Sequence, residues 1–487
     1  MNDVNARLHK LDSDEQILKN FMREYQLEAS ELMLINSQIN TTVDDRFFDV
    51  LERIQTVHEN AKTNLANNQY ITGFEIMDAM NKYEEMASDK LYRWAINLLR
   101  SINVDTIDMN PNLLRSMSHL QSKTVLFKHC LDEFTTVRRS AVSHSFIETL
   151  TRGKTVNNVV QQPLERYSND ILKYIGDMLS CVHQLLLSEK DIIFNLLRKC
   201  NLEIMSKDKT IEQTLSSIAD GLIRPLKIRI ENCLTANNKT VLSRQQQQKP
   251  NEKCKTYFYI KNIVNFYLQT YSKILLDDSS LVSLVRESLI QSDKVFYNSL
   301  SYYCSFTVDK LNSTEIIPIR GSNNITVHLN EFCQLTNDLL EIIKSSLSSK
   351  IDEQKVETLR VLTVIVEAYK QYIVIYSSRL SSREMTIFSF NSMNALFQII
   401  SKYSFTDNFI ENFQLQLNDY LDVLVNEQFQ HIINSLGISF FYNVLSNQNN
   451  IGSAPLSSFS GCDHIAISNF LVCIFSFFSK KNLLINF

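Results

Sequence analysis

Eight glycines and six prolines are all that 487 residues contain, where average usage of about 7% and 5% would supply roughly 34 and 24. Turns, strand ends and left-handed backbone positions depend on those two residues. A chain so poor in both reverses direction rarely, and long helices are the regular structure that suits it. The expectation is an all-α protein of few, long elements, with a length that sets a starting estimate of about three domains. Hydrophobic residues make up 44% of the chain and charged ones 21%, which is ample material for a core.

Charge and cysteine usage narrow the function classes. The formal net charge is −4 and the pI about 6.2, and Lys and Arg form no block that would neutralise phosphates, so nucleic acid is not expected as a partner. Nine cysteines occur without a CxxC motif or tight pairing, the pattern of reduced thiols in a cytosolic protein. The opening "MNDVNARLHKLDSDEQ" has no apolar segment of the secretory type.

Apolar spacing places the helices. Ser13 and Gln16 fit a capping box, after which Leu18, Phe21, Met22 and Tyr25 fall on one helical face. A polar break, "NSQINTTVDD", leads to a stripe of Phe47, Leu51, Ile54 and His58. From Gly73 onward Ile76, Met80, Tyr83, Ala87, Leu91, Trp94 and Leu98 form a continuous seam. Trp94 is the chain's single tryptophan; at this spacing it reads as core, with a partner's anchor point as the competing reading. Asp89 and Arg93, one turn apart, are placed to pair. Asn110-Pro111 starts a helix and Arg152-Gly153 ends one. Ser188 to Asp191 repeats the N-cap pattern. Pro225, inside the apolar-periodic stretch 218–234, predicts a kink or break. Residues 235–255 and about 312–327 read as loops, and Phe413, Leu417, Tyr420 and Leu424 form a last seam. No fixed repeat is visible, against a regular solenoid.

The search for chemistry returns little. No two glycines lie closer than nine residues apart, which excludes phosphate-cradling loops. Asp277-Asp278 begins an acidic motif that Leu281 fails to complete. His129-Cys130 are adjacent and would point to different sides of a helix, and Cys462-Asp463-His464 are at most partial metal ligands. Asp177, Ser180 and His183 are spaced so that neighbours touch on a helix, but no oxyanion site accompanies them. Arg224, Lys227 and Arg229 form a small basic face, either a solvated flank or a contact for lipid or an acidic partner. No catalytic, cofactor or metal site is expected.

Five segments carry a resemblance: "EIMDAMNKYEEMASDKLYRWA", "LDEFTTVRRSAVSHSFIETLTRG", "LKYIGDMLSCVHQ", "GLIRPLKIRIE" and "LDVLVNEQ…GISFFYN". Together, and in this order over about residues 15–455, they resemble the subunit 6 family of the conserved oligomeric Golgi complex. The matching positions include Leu91, Tyr92, Arg93, Trp94, Arg138, Arg139, Gly176, Asp177, Arg224 and Pro225. The resemblance implies an elongated helical-bundle rod of the multisubunit tethering type, peripheral on the cytosolic face of the Golgi membrane, without cofactor or catalysis. It implies the complex's other subunits as partners, together with SNAREs and Rab GTPases, and a role in returning glycosylation enzymes within the Golgi. Other helical scaffolds and all-α enzymes are the alternatives that composition alone leaves open.

The implied organisation is an N-terminal helical segment (1–70), a helical bundle (71–234), a polar mobile loop (235–255), C-terminal helical bundles (256–455) and a divergent apolar tail (456–487). The first segment resembles the end of the family's coiled-coil region, most of which would lie upstream. Within it the face of Leu18, Phe21, Met22 and Tyr25 either binds a partner or folds back on the chain's own helices. In the tail, residues 465–478 are apolar for only 14 positions, short of the roughly 20 a membrane span needs.

Overall fold

The computed structural model describes residues 2–36, 43–66, 71–101, 110–153, 155–156, 159–160, 162–201, 204–239, 250–313, 326–345 and 351–436, with 439, 442, 464–465, 468–469 and 471–472 beyond them. Among these the fold is all-α. Fourteen α-helices run in order: α1 (Asn2–Tyr25), α2 (Ala29–Asn36), α3 (Asp45–Asn60), α4 (Ile71–Ser101), α5 (Pro111–Leu120), α6 (Thr124–Thr151), α7 (Ile171–Leu196), α8 (Ile204–Lys239), α9 (Pro250–Tyr271), α10 (Ser280–Ser313), α11 (Val327–Ser345), α12 (Ile351–Ser377), α13 (Ser382–Ile400) and α14 (Asp407–Leu436). A small antiparallel hairpin, Thr155–Val156 with Val159–Val160, is the exception among the described residues. The chain forms two compact units, residues 1–244 with 260–293, and residues 245–259 with 294–487. The expected division differs: 1–70 joins 71–234, and 260–293 leave the C-terminal bundles.

In the first unit α4 packs against α3, α5 and α6, and α8 packs against α6 and α7. Local signals set several of the ends. Asn110 accepts from the Asn112 N–H at 2.9 Å with Pro111 at the first helical position. Gly153, at φ 83°, takes the left-handed position that closes α6, and its N–H reaches the Glu148 carbonyl at 3.0 Å. Asp44 caps α3 through the Phe47 N–H at 3.2 Å.

Three expected breaks are absent. α1 runs through Ser13, because Leu8 and Leu11 extend the apolar spacing upstream and a cap needs a non-helical predecessor. α7 runs through Ser188, since Leu186, Glu189 and Ile193 carry its buried face straight across. α8 runs through Pro225. Proline there forfeits the hydrogen bond to the Gly221 carbonyl, but Ile218, Ala219 and Leu222 before it and Leu226, Ile230 and Leu234 after it are all buried. Packing of both flanking turns outweighs one lost bond. Of the expected loop at 235–255, residues 235–239 continue α8 and 250–255 open α9, while 240–249 lie outside the described residues. The loop at 312–327 and the tail likewise fall largely outside them.

The second unit centres on α11, α12, α13 and α14. Phe332 of α11 meets Tyr303 and Tyr369 edge-on at 5.4 and 6.0 Å. The Tyr369 hydroxyl donates to the Ser392 carbonyl at 2.7 Å, and its burial pushes its pKa up. α13 opens on a capping box of Ser381 and Glu384.

Candidate functional site

Two sets of residues stand out, one buried and one exposed. The buried set lies between α6, α7 and α8. Arg138 of α6 meets Glu189 of α7 through two hydrogen bonds, Nε to Oε2 at 2.9 Å and Nη2 to Oε1 at 2.5 Å, with side chains 3% and 4% exposed. The planar guanidinium matches both carboxylate oxygens at once. Beside it the Arg139 Nε donates to the Ser217 carbonyl of α8 at 2.8 Å. A Cβ built on Gly221 would lie 2.6 Å from the Arg139 carbonyl oxygen. Glycine is therefore what lets the α6 and α8 backbones approach so closely. A cleft of about 510 Å³ opens between the same two helices, lined by Leu131, Thr135, Arg139, Thr210, Thr214 and Ser217 among others.

The other expected signature positions are also packing positions or flanks. Leu91 is buried, and Arg93 pairs with Asp89 at 2.8 Å in solvent. The Tyr92 hydroxyl meets His129 Nδ1 at 2.8 Å, which occupies that histidine. Trp94 is half-buried, a correction to the core reading. The buried stripe of α4 follows the expected seam at Met80, Ala87 and Leu91 and then runs through Ala95 and Leu99, one position past Trp94 and Leu98. The small Ala87 and Ala95 take the close contacts, and the large ring is left at the edge. Gly176 and Asp177 are half-buried, with open space where a Gly176 Cβ would sit.

The remaining candidates fall apart as sites. No hydrogen bond joins Asp177, Ser180 and His183; His183 Nδ1 is buried without a partner and its ring stacks on Tyr271 at 6.4 Å. Burial pushes the Cys130 thiol up to about 12. No group of three or more potential ligands could hold a metal ion among the described residues. Cys462 and Asp463 lie outside them. The basic face of α8 is largely spoken for: Arg229 binds Glu165 at 2.8 Å and Lys227 lies 3.9 Å from Glu287, leaving Arg224 exposed.

The exposed set is on α1. Leu8, Leu11, Glu15, Leu18, Met22 and Tyr25 follow one another at spacings of three and four, the alternation of a coiled-coil seam. Leu11 and Leu18 are 67% and 61% exposed, Met22 49%, and Tyr25 only 8%. The two expected fates of this face are thus divided along its length. Its end folds back: Tyr25 is buried, and Arg53 of α3 donates to the carbonyls of Arg23 and Gln26 at 3.0 and 3.3 Å. A cation there complements the helix C-terminus. Phe21, Met22 and Tyr25 also line an apolar groove of about 330 Å³ with Ile76, Met80 and Tyr83 of α4. The rest of the seam faces solvent. Leu8 and Leu11 escaped the sequence reading because the misplaced cap at Ser13 cut the helix in two, and without them Glu15 read as part of a cap; the spacing read back to Leu8 places all three in the seam.

A helical packing protein with an open seam on α1 is what this arrangement defines. The sequence model described as Conserved Oligomeric Golgi complex subunit 6, C-terminal, matches residues 71–485, past Pro455 where the resemblance was expected to stop. Conserved oligomeric Golgi complex subunit 6 of Bos taurus is 30% identical over 470 residues, covering 96% of this chain and 68% of the relative. The protein of that name from Homo sapiens is 30% identical over 466 residues, covering 93% and 67%. Among solved structures, a chain from those of exocyst subunit Exo70p and the Exo84p C-terminal domains aligns with a TM-score of 0.48 at 13% identity, covering 96% of this chain and 87% of that one. The chain belongs to the conserved oligomeric Golgi complex subunit 6 family, and on that footing is a non-enzymatic subunit of a Golgi tethering complex.

Proposed function

We propose that the chain works as a helical building block that holds a Golgi tether together, joining the complex's other subunits through the exposed face of α1. The assembled tether captures vesicles that recycle glycosylation enzymes within the Golgi, at the cytosolic face of the membrane, where SNAREs and Rab GTPases are its further partners. Attachment is peripheral: among the described residues no helix is long and apolar enough to cross a membrane. One observation carries the reading of α1. Leu18, Phe21 and Met22, expected from sequence either to bind a partner or to fold back on the chain's own helices, stand 61%, 41% and 49% exposed on a helix of a family whose members are named as complex subunits. An apolar stripe of this extent is covered in a working assembly.

The test is affinity purification of the tagged full chain from cells, with the co-purifying proteins identified. Wild type is expected to bring down the other Golgi-tether subunits, and Leu18→Asp to lose most of them while melting at the wild-type temperature. Full recovery with Leu18→Asp moves the docking surface away from α1.

A further inference from the structure

Taking α1 as the docking helix, we infer that its partner is an amphipathic helix of a different protein that carries an arginine within its own apolar seam, placed to face Glu15. The spacing puts Glu15 in the seam itself, between Leu11 and Leu18, and not on its flank. In the free chain the carboxylate is 60% exposed and rests on Lys19, one turn on, at 2.5 Å. Any helix laid along Leu11, Leu18 and Met22 removes that water. A carboxylate stripped of water needs a cation with hydrogen bonds to both its oxygens, or the association is strongly opposed.

The same chain already contains the solved form of this problem. On α7, Leu186, Glu189 and Ile193 follow the seam spacing, Glu189 interrupts it, and Arg138 of the facing helix answers with a two-pronged contact. Arg138 in turn sits in the buried stripe of α6, between Phe134 and Val142. An arginine does this better than a lysine because its fork engages both oxygens in one plane.

A second copy of this chain cannot supply the match. Parallel pairing in register sets Glu15 against the other copy's Glu15, and antiparallel pairing sets it against Leu11, Leu18 or Tyr25. One arrangement opposes like charges and the other buries a carboxylate against hydrocarbon. A single polar residue at such a position is a known way to fix register and partner. The seam from Leu8 to Tyr25 spans roughly 26 Å at 1.5 Å per residue. Its far end opens into the apolar groove lined by Met80 and Tyr83, which extends the contact surface beyond α1.

The experiment uses the full chain and two helical peptides with leucine at their seam positions, identical except for Arg or Glu at one central seam position; such peptides are free to slide and to bind in either orientation. Binding is read by fluorescence anisotropy against wild type and Glu15→Lys. The Arg peptide is expected to bind wild type at least about tenfold more tightly than the Glu peptide, and Glu15→Lys to invert the order. Equal binding, binding of neither peptide, or an order that Glu15→Lys leaves unchanged overturns the inference, as does self-association of wild type that Leu18→Asp abolishes. The underlying reading of α1 is judged separately, by whether Leu18→Asp loses the co-purifying subunits: if it does while the peptides show no charge preference, α1 is a docking helix without this selectivity.

Discussion

On α7 the residues Val182, Leu186, Glu189, Ile193 and Leu196 are covered along the whole seam, whereas on α1 Leu8, Leu11, Leu18 and Met22 stand in solvent at the same alternation of three and four. Both helices also carry one glutamate among the apolar positions. The glutamate of α7 is enclosed and held by Arg138; that of α1 rests on a neighbouring lysine in water. Spacing therefore decides that a segment is helical and which side is sticky. What covers that side depends on other helices, and for most of α1 the described residues of its own unit supply none.

Substitutions on the two helices should separate these situations by size of effect. Arg138→Ala leaves Glu189 buried and unpaired and is expected to cost about 3–5 kcal/mol in urea unfolding, whereas removing Glu15 from the free chain should leave the unfolding midpoint unmoved. If Arg138→Ala unfolds like wild type, the buried pair is not what distinguishes α7. Leu186→Ala is expected to cost about 2–5 kcal/mol, against less than about 0.5 for Leu18→Ala; equal losses would show that α1 is covered in the free chain after all. Gly221→Ala pushes a methyl into the α6 backbone and should cost about 1–3 kcal/mol, with no counterpart on α1. Trp94→Ala, at the edge of α4, should fall below the roughly 3–5 kcal/mol of a fully enclosed tryptophan. The last effect vanishes at neutral pH. Cys130 on the buried face of α6 is raised from 9.0 to about 12 by burial. The folded state therefore keeps a proton that the unfolded state sheds, and stability drops as pH climbs from about 9 to 12. Denaturation midpoints at pH 8 and pH 10.5, compared between wild type and Cys130→Ala, would expose that slope.

The sequence reading recovered much of this architecture, and its errors share a cause. Scarce glycine and proline announced the helices, and Asn110-Pro111 and Gly153 marked real ends because those ends are fixed by local hydrogen bonds and backbone geometry. Ser188 and Pro225 carried equally good local signals, yet α7 and α8 run through them unbroken, because buried apolar residues on both sides outvote one cap or one lost bond; α1 runs through Ser13 with its neighbouring leucines in solvent. Trp94 sits in a seam whose Met80, Ala87 and Leu91 are buried as expected, but the stripe continues through Ala95 and Leu99, a shift of one residue that spacing alone does not show. The Arg138–Glu189 pair was invisible, since its members lie 51 residues apart. A glutamate inside an apolar seam was nonetheless a readable warning, at position 189 and at position 15 alike.

The open side of α1 ties its integrity to supply. Most helical stability in proteins comes from tertiary packing of an apolar face, and α1 packs along only part of one face. A partner that binds the helix and not the coil adds stability in proportion to the logarithm of its free concentration. The amide protons of residues 8–18 should thus exchange quickly in the isolated chain and slow as subunits are titrated in, while those of α7 stay constant. In a cell, the same linkage makes the lifetime of this chain a gauge of stoichiometry: molecules made in excess of their neighbours keep a frayed, adhesive end for chaperones and proteases to find.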